Sequence, residues 1–149
     1  SAGLRAFAGV KGRMQRKSGI NGAILIDDTY NANPDSAMAA LDVLAQFQGA
    51  KIFVLGDMGE VGPDGNAMHA AIGQYAQQSG VDRLFSLGEL SHQAATKFGN
   101  GSALYVRAED LIANLRPLLK TGVTVLIKGS RFMHMERVVN ALVSETALA

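Results

Sequence analysis

Apolar bursts and helical stripes alternate along the chain. The first clear burst, "GAILIDD", sets Ile24, Leu25 and Ile26 side by side and ends in two acids. A short apolar run without polar alternation reads as a strand buried on both faces. Asn33-Pro34 then opens a helix, because asparagine is a good N-cap and proline suits the first helical position. Met38, Leu41, Leu44 and Ala45 keep one face of that helix apolar. "KIFVLG" is a second strand. "NAMHAAIGQYAQQSG" is a second helix, with Met68, Ile72, Tyr75 and Ala76 on one side and Gly80 as its stop. "RLFSLG", "ALYV" and "VTVLIKG" supply three more strands. A short helix is expected over 90–98, another is marked by Leu111, Leu115 and Leu118, and the last by Met135, Val138, Val139 and Leu142.

Five strand–helix repeats predict an α/β fold, a Rossmann-like doubly wound sheet that is mostly parallel, with helices on both faces. Upstream, "RMQRKSGINGAILI" places a Gly/Asn-rich turn between two extended pieces, which predicts one antiparallel edge strand beside about five parallel ones. The 149 residues are the length of one ordinary domain. No linker, repeat or low-complexity segment divides them, so residues 1–149 are read as a single domain.

Composition removes several function classes. Fourteen basic and 13 acidic side chains leave a net charge of +1, without the clustered basic excess of a nucleic-acid surface. The absence of cysteine rules out disulfides, thiol chemistry and Cys-ligated metals. His69, His92 and His134 are far apart and form no H-x-x-x-H pair, so no metal site is expected. No apolar run has the length of a membrane span, and the start, "SAGLRAFAGVKGR", has no apolar signal core. The chain does not begin with methionine, as an excised domain would not. Neither G-x-x-x-x-G-K-[ST], nor G-x-G-x-x-G after a strand, nor G-x-S-x-G occurs, so the chain carries no P-loop, dinucleotide fingerprint or nucleophile elbow.

In a doubly wound sheet, ligands sit beyond the carboxyl ends of the strands. That rule picks out the loops at 27–33, 56–65, 88–92, 106–109 and 128–131. Asp27 and Asp28 read either as turn and capping residues or as a carboxylate accepting from the vicinal hydroxyls of a ribose. Asn31 and Asn33 could be turn residues, with Asn33 favoured as the helix cap. "VLGDMGEVGPDG" has acids at Asp57, Glu60 and Asp64 among glycines that let backbone N–H groups approach a ligand; it also reads as a flexible surface loop. In "IKGSRFMHMERV", Lys128, Ser130 and Arg131 stand just before an expected helix N-terminus and read as a carboxylate or phosphate site, against a solvated basic turn. His69 reads as structural or surface, Met133 and Met135 as core, and Arg5, Lys11 and Arg16 as solvated charges.

Together, Gly12-Arg13, "IDDTYNANPDSAMAALDVL", "VLGDMGEVG" followed by His69 and Gly73, and "VLIKGSRFMHMERVV" resemble the C-terminal domain of the bacterial Mur ligases over essentially the whole chain. Within that family the motifs are most similar to those of members that add D-alanyl-D-alanine to a UDP-N-acetylmuramoyl tripeptide. The resemblance implies a three-domain, monomeric, cytoplasmic enzyme of peptidoglycan precursor synthesis. ATP phosphorylates the tripeptide carboxylate, and the dipeptide amine attacks the acyl phosphate. The UDP-sugar domain and the central domain, with its P-loop and Mg2+ ligands, are absent from this chain. ATP and Mg2+ would therefore be bound mainly elsewhere, and this chain alone would be inactive. Partners implied are the two substrates and the other two domains, with no nucleic acid and no membrane.

By the same resemblance Asp28 is the ribose acid, with Tyr30, Asn31 and Asn33 along one nucleotide edge. Arg13 reaches ATP phosphate on closure, and Asp57 lies near the reaction centre. The loop with Glu89 and Ser91, and Lys128, Ser130 and Arg131, hold the incoming substrate. Gly88-Glu89-Leu90-Ser91 stands where meso-diaminopimelate-adding members carry D-N-P-R, which argues against that substrate. Another Mur or folylpolyglutamate-type ligase, and a stand-alone flavodoxin-like binding module, are the alternatives.

Overall fold

The computed structural model describes residues 12–59 and 62–144. Its strands are β1 (Gln15–Ser18), β2 (Ile24–Asp28), β3 (Ala50–Gly56), β4 (Arg83–Leu87), β5 (Ser102–Tyr105) and β6 (Val123–Lys128). They form one sheet in the order β1-β2-β6-β3-β4-β5. The β1–β2 pair is antiparallel and the other pairs are parallel, as the strand pattern predicts. The helices are α1 (Pro34–Ala45), α2 (Gly65–Gln78), α3 (Ser91–Phe98), α4 (Ala108–Leu115) and α5 (Glu136–Leu142).

Strand alternation divides the core into two layers. Phe53 and Leu55 pack with Leu41 and Leu44 of α1, Ile72 of α2 and Ala94 and Phe98 of α3. Ile52 and Val54 pack on the opposite face with Leu111 and Leu115 of α4 and Val138 and Leu142 of α5. Continuous apolar runs were needed because both faces of these strands are covered.

Helices α1 to α3 cover one face while the chain steps outward from β2 to β5. The return through α4 crosses the other face and inserts β6 between β2 and β3. The helix after β2 and the helix after β6 therefore leave these neighbouring strands on opposite faces. That divergence opens a crevice at their carboxyl ends, the usual ligand position in such sheets.

Two boundaries differ from the sequence pattern. Leu118 lies outside α4, because Pro117 ends the helix in a 3-10 turn at Arg116–Leu118. The segment carrying Lys128, Ser130 and Arg131 does not run into a helix N-terminus. A 3-10 turn at Arg131–Met133 and a left-handed His134 (φ +51°) intervene before α5 begins at Glu136. Arg16 is exposed as expected, while Arg5, Lys11 and Glu60 lie outside the described residues.

Candidate functional site

The two consecutive acids at the end of β2 serve opposite sides of the sheet edge. Asp27 is buried and accepts from Lys17 Nζ at 2.8 Å, from Thr29 Oγ1 at 2.6 Å and from the Thr29 amide at 3.2 Å. These bonds join β1 to the turn after β2. Asp28 pairs across the parallel ladder with Lys128 of β6. Its Oδ2 accepts from Lys128 Nζ at 2.7 Å, and its Oδ1 accepts from the Met14 amide at 3.2 Å. Lys128 Nζ also donates to the Asn31 carbonyl at 3.1 Å.

Lys128 is only 1% exposed. The sequence reading expected an accessible cation there; the fold places it inside, because β6 is flanked by β2 and β3. A lysine tolerates such burial when its charge is paired and hydrogen-bonded.

A pocket of about 390 Å³ opens beside this pair, lined by Arg13, Met14, Asp28, Asn31, Asn33, Ser36 and Lys128 together with Ala39, Ala40 and Val43 of α1. Asn33 caps α1: its side chain accepts from the Ser36 amide at 2.8 Å, while Ser36 Oγ accepts from the Asn33 amide at 3.0 Å. The asparagine expected at the cap is thus also a wall of the pocket. Asn31 Oδ1 accepts from the Ala32 amide at 2.8 Å, which shapes the loop between β2 and the cap.

Tyr30 stands on the far side of Arg13 from this group. It lines a neighbouring pocket of about 640 Å³ with Asp27, Thr29, Arg131, Phe132, His134 and Glu136. The guanidinium groups of Arg13 and Arg131 lie 4.2 Å and 4.8 Å from the centroid of its ring, within cation–π range. Tyr30 is thus next to the first pocket through Arg13, which lines it. Tyr30 joins Arg13 to Arg131, and the other three line the first pocket.

Asp57 and Ser91 prove to be structural neighbours. Asp57 is buried, and its two carboxylate oxygens accept from the Ser91 amide at 2.7 Å and the Leu90 amide at 3.1 Å. It thereby satisfies the free N–H groups at the start of α3, where a carboxylate is electrostatically favoured. A Cβ on Gly88 would stand 2.6 Å from this carboxylate, and Gly88 has φ +111°; the turn needs glycine on both counts. Ser91 is fully buried and donates to the Gly88 carbonyl at 3.2 Å. Ser130 is buried too; its amide donates to the Asp57 carbonyl at 3.1 Å and its Oγ accepts from the Gly59 amide. These bonds lock the loops after β3, β4 and β6 together. Glu89, Phe132 and Arg131 stay exposed around them.

His69 was read as structural or surface, and it is a fully buried tie. Its Nε2 accepts from the Met58 amide at 2.9 Å, so the neutral ring donates from Nδ1 to the Gly65 carbonyl at 2.7 Å. One side chain thus fastens both ends of the glycine-rich loop. His69→Leu leaves the buried Met58 amide without a partner and takes one of its donors from the Gly65 carbonyl. The expected loss is about 2–3 kcal/mol of folding stability, measured by urea unfolding. His69→Gln, which can still donate and accept, is expected to lose less; equal losses would show that volume rather than hydrogen bonding matters.

Among the described residues no group of three or more His, Asp or Glu side chains could hold a metal ion, and no helix is long and apolar enough to cross a membrane.

The family model described as "Mur ligase, glutamate ligase domain" matches residues 12–131. The chain belongs to the Mur ligase family. Its UDP-N-acetylmuramoyl-tripeptide–D-alanyl-D-alanine ligase relative from Escherichia coli is 40% identical over 95% of this chain, which covers 31% of that protein. A crystal structure of MurF from Acinetobacter baumannii superposes with a TM-score of 0.81 at 32% identity, over 89% of this chain and 30% of that one. The MurF ligase of Thermotoga maritima, solved in complex with ADP, gives 0.80 at 26% identity over 89% of this chain and 30% of that one. This Mur ligase domain thus spans about a third of the length of the relatives it matches.

Proposed function

We propose that this chain is the C-terminal domain of an ATP-dependent ligase that adds D-alanyl-D-alanine to a UDP-N-acetylmuramoyl tripeptide in the cytoplasm. One observation carries the reading from the geometry. Arg13, Asp28, Asn31 and Asn33, which the family resemblance assigns to ATP, line a single pocket at the sheet's topological switch point. The names of the curated relatives favour this branch over other Mur or folylpolyglutamate-type ligases.

The pocket suits the nucleoside edge of ATP better than its triphosphate. It offers a carboxylate, two amides and an arginine, while the sequence given carries no G-x-x-x-x-G-K-[ST] loop of the kind that cradles phosphates in phosphoryl transfer. ATP supplies the phosphoryl group that activates the tripeptide carboxylate, and the P-loop and Mg2+ ligands belong to a separate central domain. Within this chain, Asp28 accepts hydrogen bonds from ribose hydroxyls. Arg13, exposed on the pocket wall, meets developing negative charge on the phosphates when the domains close. Arg131 is the exposed cation beside Tyr30 and Phe132, and it takes the terminal carboxylate of the dipeptide. Glu89 belongs to the same substrate rim. Asp57, Ser91 and Ser130 act through the loops they hold. The enzyme works as a monomer, with the other two domains as this chain's partners.

The test uses the ligase with its upstream domains present. Phosphate release is expected only with the tripeptide and the dipeptide both added, and none from this chain alone. Arg131→Ala should raise KM for D-alanyl-D-alanine about tenfold, the value of a charge-assisted contact. An amine without the terminal carboxylate should show little further loss. Equal losses with both amines would remove Arg131 from carboxylate recognition, and turnover by the isolated chain would favour the stand-alone module.

A further inference from the structure

We infer that Lys128 is a positioning residue for the Asp28 carboxylate that meets the nucleotide, and that it does not bind the incoming dipeptide. The inference rests on the assignment of Asp28 to the ribose. Lys128 Nζ has three protons to donate. Two meet Asp28 Oδ2 at 2.7 Å and the Asn31 carbonyl at 3.1 Å, and the residue is 1% exposed. Its charge is already paired with Asp28, so a peptide carboxylate would have to compete with Asp28 for it.

What the contact does for Asp28 follows from carboxylate geometry. The terminal torsion of an aspartate is broad and soft, so an isolated carboxylate does not hold two acceptors in a fixed orientation. Here Lys128 fixes one oxygen and the Met14 amide, at 3.2 Å, fixes the other. Each oxygen keeps a lone pair for a ligand, and the side chain lines the pocket. The carboxylate is therefore aimed before a ligand arrives, which removes an ordering cost from binding.

The pair also settles a problem of charge. A lone buried carboxylate beside a polyanion such as ATP would oppose binding, because like charges repel strongly where water is excluded. Lys128 cancels that charge at a separation of 2.7 Å. Its bond to the Asn31 carbonyl extends the same control to the loop that carries Asn31 and the Asn33 cap. One lysine on β6 thus sets both the acid and the backbone of the nucleotide edge.

The experiment measures KM for ATP and for D-alanyl-D-alanine in the full-length ligase carrying Asp28→Asn, Lys128→Met, or both. Each single change should raise KM for ATP about tenfold, the range of one charged hydrogen bond, and leave KM for the dipeptide within about twofold. The double variant should be no worse for ATP than the worse single variant, because both changes break one interaction. If Lys128→Met does not fold, the double variant is compared with Asp28→Asn, since removing both charges avoids an unpaired one. Equal KM values for ATP in those two proteins, with the dipeptide unaffected, support the inference. A selective rise in KM for the dipeptide, or additive rises for ATP, would overturn it. An unchanged KM for ATP in Asp28→Asn would overturn the ribose assignment, and the inference with it.

Discussion

Lys128→Met is expected to cost about 3–5 kcal/mol of folding stability, the usual penalty for removing one partner of a buried ion pair. The substitution keeps the length and apolar stem of the side chain, so little of the loss comes from packing. What remains is Asp28, 7% exposed, with its charge inside the protein and the Met14 amide at 3.2 Å still donating to it. The Asn31 carbonyl loses a donor as well. A domain of this size has only about 5–15 kcal/mol in hand, so the variant should unfold at markedly lower urea. Asp28→Asn in the same chain should restore much of the loss, because the unpaired charge is then gone. The defect should also respond weakly to salt, since buried pairs are poorly screened. A loss below about 1 kcal/mol, typical of a surface pair, would show that the ion pair is far more solvated than its burial indicates.

That lysine also marks where the sequence stops being informative. The run "VTVLIKG" identifies β6 apart from its final glycine, which lies past the strand end at Lys128, and the doubly wound rule places Lys128 at the ligand end. It does not reveal that β6 lies between β2 and β3. The partners Asp28 and Lys128 are 100 residues apart, and no local pattern encodes their pairing. Asp27 and Asp28 were more legible. Neighbouring strand residues face opposite sides, so two consecutive acids had to have different surroundings. The capping role of Asn33 was legible, because an N-cap is a local event.

The site was less readable where side chains act on loop backbone. Asp57 falls in a glycine-rich loop at a strand end, which suggests chemistry, yet both of its oxygens serve the start of α3. The Ser91 hydroxyl is likewise consumed within its own turn, and the Ser130 hydroxyl by a bond to the glycine-rich loop. Nothing in composition separates such a serine from one that meets a ligand. The last helix shows the same limit: a 3-10 turn and a left-handed His134 delay it, and the apolar spacing of Met135, Val138 and Val139 is silent about where the first turn starts.

Gly73→Ala should destabilise the protein by about 3 kcal/mol, near the upper end of what overpacking usually costs. In an exposed helix the sign would be reversed, because alanine is favoured over glycine by about 1 kcal/mol. Gly73 instead sits in the middle of α2, fully packed against α3. A Cβ there would stand 2.0 Å from the Ala94 carbonyl oxygen and 2.7 Å from its carbonyl carbon and Cα. Those atoms are backbone, so no rotamer change relieves the contact, and the two helices must separate. At about 2–4 °C per kcal/mol for chains of this length, Tm should fall by roughly 6–12 °C. Gly80→Ala is the comparison: φ there is +86° but nothing lies within 4 Å, so only backbone strain of about 1 kcal/mol is expected. The clash should also be felt at the ligand edge. Helix α2 leaves the glycine-rich loop fastened by His69, and α3 begins at the amides held by Asp57. The approach permitted by Gly73 therefore sets the spacing of those two loops, and forcing the helices apart should loosen the Asp57 contacts before the sheet itself yields. Hydrogen exchange at the Leu90 and Ser91 amides should speed up in Gly73→Ala more than exchange in β6 does. A stabilised Gly73→Ala protein, or uniform acceleration across the domain, would contradict this picture.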